Sequence, residues 1–133
     1  VKGVKVRTGP ATYQQDIPKL WSDYMSSGTV DPSKDIYCIY GEYERDHTGA
    51  YTCFIGQATE DAADVDCFVI DRSRKYKKFV GTGPGETASH DAWKQIWADE
   101  GLQRDYSYDF EVYEPARASD FSNMSVDIFV SVL

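Results

Sequence analysis

The feature that most constrains this chain is a repeated order of secondary-structure patterns in its two halves. In each half a short strand pattern precedes an amphipathic helix, and two further strand patterns follow it. The helices are predicted over residues 17–27 and 86–99. Their matching apolar stripes are Ile17, Leu20 and Trp21 in the first helix and Trp93, Ile96 and Trp97 in the second. This repeat predicts a duplicated α+β unit.

Seven stretches have the composition of β-strands, being rich in Tyr, Ile, Val, Thr and Phe and bounded by turn residues. They are residues 3–8, 36–44, 51–58, 67–71, 76–82, 107–114 and 125–132, and the fourth and fifth form either one bent strand or two. We therefore predict two β-α-β-β units related by a pseudo-two-fold axis. The expected fold has antiparallel sheets, both helices on the same sheet face and a central ligand cleft between the halves. The length suits a single domain over residues 1–133.

The charge balance narrows the classes of partner. The sequence has 14 Lys and Arg residues against 22 Asp and Glu residues, and this net charge of −8 argues against a nucleic-acid partner, whose binding depends on Lys and Arg. Aromatic residues make up 14% of the chain, and ten of them are tyrosines. That composition suits cations and flat apolar molecules. No apolar run reaches the ~18 residues of a membrane span, so we expect no membrane partner.

Motifs for cofactors and catalysis are weak in this sequence. Residues 81–85, Gly-Thr-Gly-Pro-Gly, precede a helix as a phosphate-binding loop does, but the Lys-Ser/Thr that completes such a loop is missing. Neither His47 in a predicted turn nor His90 on the polar side of a helix start has neighbours that indicate catalysis, and we expect both to be solvent-exposed. The sequence therefore predicts no cofactor and no enzyme activity.

The three cysteines predict a reducing compartment. With a hairpin turn at residues 46–49, the expected register places Cys38 opposite Gln57, away from Cys53, so these two thiols should not bond. Neither they nor Cys67 lie in a spacing that indicates zinc. We expect three free thiols, no bound metal and a cytoplasmic location.

Glu111 is the candidate functional residue that the strand pattern singles out. In residues 107–114 alternation places Glu111 and Tyr113 on the same face. In a sheet with one wet face Glu111 is simply solvated. If one face packs against helices and the other lines the cleft, Glu111 becomes a partly buried carboxylate among aromatic rings, which matches an apolar organic cation. The rings expected around it are those of Tyr37, Tyr43, Tyr113 and Phe129.

Seven sequence blocks over most of the chain carry a recognisable pattern. They are Ile17-Pro-Lys-Leu-Trp21, Ile39-Tyr-Gly-Glu-Tyr43-Glu, Asp46-His-Thr-Gly-Ala-Tyr51, Phe79 through Gly83-Pro84, Ala92-Trp-Lys-Gln-Ile-Trp97, Asp109-Phe-Glu-Val-Tyr113 and Val126-Asp-Ile-Phe129. Together they resemble the GyrI-like effector-binding domain superfamily, the ligand domain of AraC- and MerR-type multidrug-responsive regulators. The first, third and fifth blocks are similar to the stand-alone branch of that superfamily, which includes drug-binding proteins carried on integron cassettes in vibrios.

The resemblance implies two β-α-β-β units around a ligand cleft, with Glu111 at the position of the superfamily's cation-binding glutamate. Aromatic residues are the further candidates for ligand contact, although each also fits a hydrophobic core. They are Tyr37, Tyr40, Trp93, Trp97, Tyr113 and Phe129. We therefore predict a cytoplasmic binding module for hydrophobic organic cations, acting by sequestration or as a sensor.

Two other functions stay open. Some relatives in the superfamily look like hydrolases of strained electrophiles that use a Tyr and a Glu in the same cleft, and Tyr113 and Glu111 match that pair. Another is inhibition of a larger protein, as GyrI inhibits DNA gyrase. The superfamily's regulators carry a helix-turn-helix region upstream, for which the sequence has no residues before Val1. We therefore expect a stand-alone binder, a trimmed fragment or a partner-binding protein rather than a complete regulator.

Overall fold

The structure is a computed structural model that describes residues 1–46, 48–59, 68–71, 73–85, 87–118, 120 and 122–133. In these residues six strands and three helices follow one another along the chain. The first half contains β1 (Lys2–Thr8), α1 (Tyr13–Met25), β2 (Ile36–Gly41) and β3 (Tyr51–Gln57). The second half contains β4 (Tyr76–Gly83), α2 (Ala88–Ala98), β5 (Tyr108–Tyr113), α3 (Pro115–Ala118) and β6 (Met124–Ser131).

The six strands form one antiparallel sheet in the order β1-β3-β2-β5-β6-β4. Each half contributes three neighbouring strands, and the halves join where β2 pairs with β5. This confirms the predicted α+β fold with two β-α-β-β units, although the halves share a single sheet. The prediction of a strand over residues 67–71 was wrong for residues 68–71, which are irregular. The connection after β5 contains the short helix α3, which was not predicted.

Both helices pack against the same sheet face, as predicted. Leu20 of α1 packs on the half of the sheet built from β1, β3 and β2, whereas Trp93 and Ile96 of α2 pack on the half that contains β4 and β6. Burial of these apolar stripes holds the helices to the sheet. Tyr40 of β2 and Tyr113 of β5 contact both clusters. The centre of the sheet therefore lies between the two helices.

Helix α1 begins earlier than predicted. The N–H of Tyr13 donates to the carbonyl oxygen of Gly9 at 2.9 Å, which closes a turn that leads into the helix. As a result Pro18 lies inside the helix rather than in its first turn. Helix α2 falls within its predicted range, whose first residue lies outside the described residues. None of the helices in the described part of the chain has the length and apolar character needed to cross a membrane.

The hairpin between β2 and β3 contains a bulge that the sequence did not indicate. The N–H of Gly49 donates to the carbonyl oxygen of Asp46 at 3.2 Å, as expected for the predicted turn. Beyond this turn, Glu42 and Tyr43 lie opposite the single residue Tyr51, as in a β-bulge. Glu42 has a φ of 49°, in the left-handed region that few non-glycine residues adopt. The bulge contributes one residue of the two-residue shift from the predicted register, and the segment between the Glu44–Ala50 hydrogen bond and the turn contributes the other.

The shifted register changes the position of the cysteines. Cys38 lies opposite Ile55 rather than Gln57, and its Sγ is 3.7 Å from the Sγ of Cys53. The prediction that the register separates these two residues was therefore wrong. Both are nevertheless free thiols in the structure, and both are fully buried. Cys67 lies outside the described residues.

Helix α2 approaches β4 closely at Gly81, where a Cβ would lie 2.5 Å from the carbonyl oxygen of Ala88 and 3.1 Å from the Cβ of Ala92. We expect Gly81→Ala to lower the free energy of unfolding by about 1–3 kcal/mol, because the added methyl overpacks this helix–sheet contact. Chemical denaturation measures the change. The exposed neighbour Thr82 provides the control, since Thr82→Ala should change the free energy by less than about 0.5 kcal/mol. Equal stability of Gly81→Ala and wild type would contradict the close approach.

Candidate functional site

A cavity of about 1040 Å³ lies between α1 and α2, above the centre of the sheet. We call it the inter-helix cavity and define it by Ile17 and Trp21 of α1, Trp93 and Trp97 of α2, and Tyr40 and Tyr113 of the sheet. Ligand pockets commonly have volumes of about 300–1,000 Å³, so this one is large enough for a drug-sized molecule. Its walls are mainly aromatic and offer flat apolar contact area.

Glu111 lies directly beneath the floor of the inter-helix cavity. Its side chain is 1% exposed and does not itself line the cavity. The hydroxyl of Tyr113 donates to Oε1 at 2.8 Å, the indole Nε1 of Trp93 donates to Oε2 at 2.6 Å, and the hydroxyl of Tyr40 donates to Oε2 at 3.2 Å. All three of these residues line the cavity. Their rings therefore connect the carboxylate to the space above it.

The Glu111 carboxylate is surrounded by neutral groups. The hydrogen-bond donors that the described residues offer to it are the three rings, and no ion pair joins it to another described side chain. Burial raises the pKa of Glu111, and the hydrogen bonds to its charged form offset this only in part. A buried carboxylate without a counter-charge is unfavourable, and an opposite charge nearby recovers part of that free energy.

The tyrosines beside Glu111 stay protonated at neutral pH. Burial, and after it the negative charge of Glu111, raises the pKa of Tyr113 well above its usual value. Burial also raises the pKa of Tyr40 well above its usual value, with further contributions from Cys38 and Glu111. Both phenols therefore remain hydrogen-bond donors. The negative charge of this site belongs to Glu111.

Five of the side chains predicted from the sequence come together in the structure. Tyr40, Trp93, Trp97 and Tyr113 line the inter-helix cavity, and Glu111 lies beneath it. The ring centroids of Tyr40 and Trp93 are 5.5 Å apart in an edge-to-face contact. Trp97 is 48% exposed and forms the solvent-facing part of the wall. Ligand contact by these residues stays a prediction.

Tyr37 and Phe129 lie on the other face of the sheet, and the prediction that they surround Glu111 was wrong. Antiparallel partners share a face, and consecutive residues of a strand point to opposite faces. Cys38 pairs with Glu111, so Tyr37, one residue earlier, points away from it, and Phe129 pairs with Phe110 rather than with Glu111. Tyr37 and Phe129 instead line a second cavity of about 480 Å³, which we call the opposite-face cavity.

Some residues of the inter-helix cavity were not predicted. Trp21, expected to serve helix packing, lines the cavity, and its ring centroid lies 4.9 Å from that of Tyr113. Its equivalence to Trp97 in the sequence repeat is the signal that identifies it. His90, predicted to be solvent-exposed, is half-buried and lines the cavity between the rings of Tyr13, at 6.5 Å, and Trp97, at 5.9 Å. His47 lies outside the described residues.

Arg104 brings a positive charge to the cavity wall. Its side chain is 8% exposed, and its Nη2 donates to Oδ2 of Asp109 at 2.7 Å. Asp109 is completely buried and also accepts hydrogen bonds from the hydroxyl of Tyr43 at 2.5 Å and the N–H of Ser131 at 2.9 Å. Tyr43, expected beside Glu111, thus binds Asp109 instead. Of the two buried carboxylates of β5, Asp109 has a counter-charge, whereas none of the described residues supplies one to Glu111.

Comparisons with known proteins agree with this architecture. Residues 2–132 match the family Cass2, described as integron-associated effector binding protein. The protein YobU of Bacillus subtilis (strain 168), provisionally named a transcriptional regulator, is 30% identical over an alignment of 144 positions, and this alignment covers 98% of this chain and 89% of YobU. A crystal structure of an integron cassette protein from the mobile metagenome of Vibrio cholerae shares the fold, with a TM-score of 0.74 at 23% identity, covering 99% of this chain and 88% of that one.

The raised pKa of Glu111 predicts a pH dependence of stability. The unfolded chain ionises at the ordinary glutamate pKa, whereas the folded protein ionises only at higher pH. The stability associated with neutral Glu111 is therefore present at low pH and is lost as the pH rises through the folded pKa. We expect the free energy of unfolding of Glu111→Gln, relative to wild type, to increase from about pH 4.5 to about pH 8.

Urea denaturation at several pH values measures this difference. Asp127→Asn is the control, because the hydrogen bond from Arg117 lowers the pKa of Asp127 and moves its ionisation below this pH range. The difference between Asp127→Asn and wild type should therefore stay constant across the range. A constant difference for Glu111→Gln as well would show that burial does not perturb Glu111.

Proposed function

This chain belongs to the family of integron-associated effector-binding proteins, and from that membership we propose that its inter-helix cavity binds hydrophobic organic cations. Effector binding implies a small-molecule ligand, and the chemistry of the site supports the finer assignment. The observation that carries it is Glu111, a buried carboxylate with only neutral partners among the described residues, beneath an aromatic cavity.

A monovalent cation in the cavity supplies the positive counter-charge that the described residues do not provide for Glu111. One aromatic ring separates the carboxylate from the cavity, so the two charges lie roughly 7 Å apart. At an effective dielectric constant of about 20, their attraction is about 2 kcal/mol before the desolvation of the cation. A net gain of about 1–2 kcal/mol is therefore the expected scale, which corresponds to roughly five- to thirtyfold in the dissociation constant.

The rings above the carboxylate strengthen this attraction. Tyr40, Trp93 and Tyr113 each donate an O–H or N–H to Glu111. Such a hydrogen bond polarises the donor and makes the face of its ring more negative. A cation over one of these faces gains a cation–π interaction of about 0.5–2 kcal/mol in addition to the charge attraction. The rings also bury the apolar part of the ligand.

Sequestration and sensing both use such a site. The provisional name of YobU as a transcriptional regulator favours sensing. A ligand that contacts Trp21 of α1 and Trp97 of α2 also connects two helices that pack on separate halves of the sheet. Occupancy of the cavity then changes the relative stability of the two helices, and a partner molecule can recognise this change. The cytoplasmic location expected from the cysteines is part of the same proposal.

The hydrolase alternative rests on one contact, the 2.8 Å hydrogen bond from the hydroxyl of Tyr113 to Glu111. General-base activation of Tyr113 by Glu111 requires this contact. However, burial and the carboxylate raise the pKa of Tyr113, which opposes formation of a phenolate nucleophile. We therefore keep binding without catalysis as the proposal. Turnover of an epoxide test substrate that disappears in Tyr113→Phe would contradict it.

The substitution Glu111→Gln separates the charge contribution from the packing contribution, because glutamine keeps the shape of the side chain. We expect it to weaken binding of thioflavin T, a benzothiazolium cation, about five- to thirtyfold. The uncharged benzothiazole that lacks only the N-methyl group should change by less than about twofold. Calorimetric titration of both compounds into both proteins gives the four dissociation constants.

Binding of the cation to wild type should also release protons at mildly acidic pH, because the cation favours the ionised form of Glu111.

Glu44→Gln is the matched control for this experiment. It removes the same charge from an exposed side chain that pairs with Arg45 and does not line the inter-helix cavity, so both compounds should bind it as they bind wild type. If Glu111→Gln weakens the cation and the uncharged compound equally, or weakens neither, Glu111 does not select for charge and the proposal fails.

A further inference from the structure

Arg104 gives the inter-helix cavity a second charged group, opposite in sign to Glu111. It reaches the wall from the segment between α2 and β5. Its guanidinium carbon lies 5.6 Å from the ring centroid of Trp93, and the Nε1 of the same indole donates to Glu111 at 2.6 Å. One indole thus contacts both charged groups. A planar ligand that lies along Trp93 meets a negative charge at one end and a positive charge at the other.

The hydrogen-bonding capacity of Arg104 is only partly used by the protein. Its Nη2 donates to Asp109, but its Nε is buried and has no hydrogen-bond partner in the part of the chain that the structure describes. A guanidinium carries five N–H donors in a fixed planar arrangement, and buried donors in proteins are normally satisfied. The buried Nε is closed to a ligand, but the guanidinium has further N–H donors, and a ligand in the inter-helix cavity, which Arg104 lines, can supply an acceptor for them.

Asp109 positions this guanidinium without shielding it from the cavity. Asp109 is completely buried, whereas Arg104 lines the cavity, so a ligand meets the guanidinium rather than the carboxylate. The guanidinium carbon also lies 4.4 Å from the ring centroid of Tyr106 and 6.0 Å from that of Tyr43. With the side chain held in this way, Arg104 loses little conformational freedom when it binds an oxygen, which favours binding.

From this arrangement we propose that the preferred ligands of the inter-helix cavity are zwitterions. Their cationic aromatic part lies toward Glu111, and their carboxylate is bound by Arg104. This inference deepens the proposed function and rests on its cationic half. It makes Arg104 a specificity-determining residue, which distinguishes organic cations that carry a carboxylate from those that do not. A guanidinium suits this role because its planar donors match a carboxylate better than an ammonium does.

Rhodamine B and its ethyl ester are a matched pair of probes for this inference. They share one xanthylium cation and differ only in whether the pendant group is a carboxylate or an ester. We expect wild type to bind rhodamine B about tenfold more tightly than the ester, because only the carboxylate forms a charge-assisted hydrogen bond with Arg104. Fluorescence anisotropy measures both dissociation constants. Equal binding, or a preference for the ester, would overturn the proposal.

Two variants remove the guanidinium while the net charge of the protein stays the same. Arg104→Lys keeps a positive charge beside Asp109 but loses the planar donors. Arg104→Met combined with Asp109→Asn removes both charges, so no buried carboxylate is left unpaired. Thermal unfolding shows whether each variant folds, and the lysine variant alone suffices if the double variant does not.

In these variants the preference for the carboxylate is the quantity to compare. We expect rhodamine B to bind about tenfold more weakly to the double variant and at least about threefold more weakly to Arg104→Lys. The ester should change by less than about threefold in both. If both dyes weaken equally, Arg104 only shapes the cavity wall and the inference is wrong.

The substitution Glu111→Gln distinguishes failure of this inference from failure of the proposed function. Both dyes carry the same cation, so it should weaken both by about tenfold and preserve the preference for rhodamine B. Dependence on Glu111 without any difference between the dyes overturns the role of Arg104 alone. A preference that depends on Arg104, without any dependence on Glu111, overturns the cationic half and with it the zwitterion.

Discussion

The pairing of β2 with β5 is the interaction on which the candidate site depends, because it joins the two halves of the chain at the centre of the sheet. Its register places Cys38 opposite Glu111 and Tyr40 opposite Asp109. Side chains on one face of neighbouring strands are close enough to interact diagonally, and the hydroxyl of Tyr40 reaches Glu111 at 3.2 Å. A slip of one residue would turn Glu111 to the opposite face and separate it from the inter-helix cavity.

The two buried carboxylates of β5 differ in how the protein compensates their charge. Asp109 pairs with Arg104 and accepts hydrogen bonds from Ser131, so its charge is compensated inside the protein. Glu111 receives hydrogen bonds from neutral donors only among the described residues. A buried charge of this kind lowers the free energy of unfolding, and its pKa is shifted for that reason. Such perturbed groups concentrate at functional sites, and the cation that we propose as ligand supplies the compensating charge for Glu111.

The sequence was sufficient to predict the two β-α-β-β units and the packing of both helices on the same sheet face, because apolar periodicity is a local property. It was not sufficient for Tyr37 and Phe129, whose faces depend on which residues pair across strands. The bulge at Glu42, which shifts the hairpin register, rests on a backbone conformation that no residue preference indicates at a glutamate. Arg104 lies outside any predicted strand or helix, and its place at the cavity depends on tertiary contacts, namely a backbone bridge with Val132 and the ion pair with Asp109.

The pseudo-two-fold axis also explains why the two halves have to differ at the floor of the cavity. Rotation about this axis places β2 on β5 and the pair Tyr40–Asp109 on the pair Glu111–Cys38. Tyr40 therefore occupies in β2 the position that Glu111 occupies in β5. Two glutamates at these positions would place like charges in one buried space, and one of them would have to be protonated. Tyr40 instead donates a hydrogen bond to the carboxylate of the other half. The symmetric backbone thus places one helix on each side of the cavity. Because Tyr40 and Glu111 differ at equivalent positions of the floor, a single negative charge lies beneath the cavity.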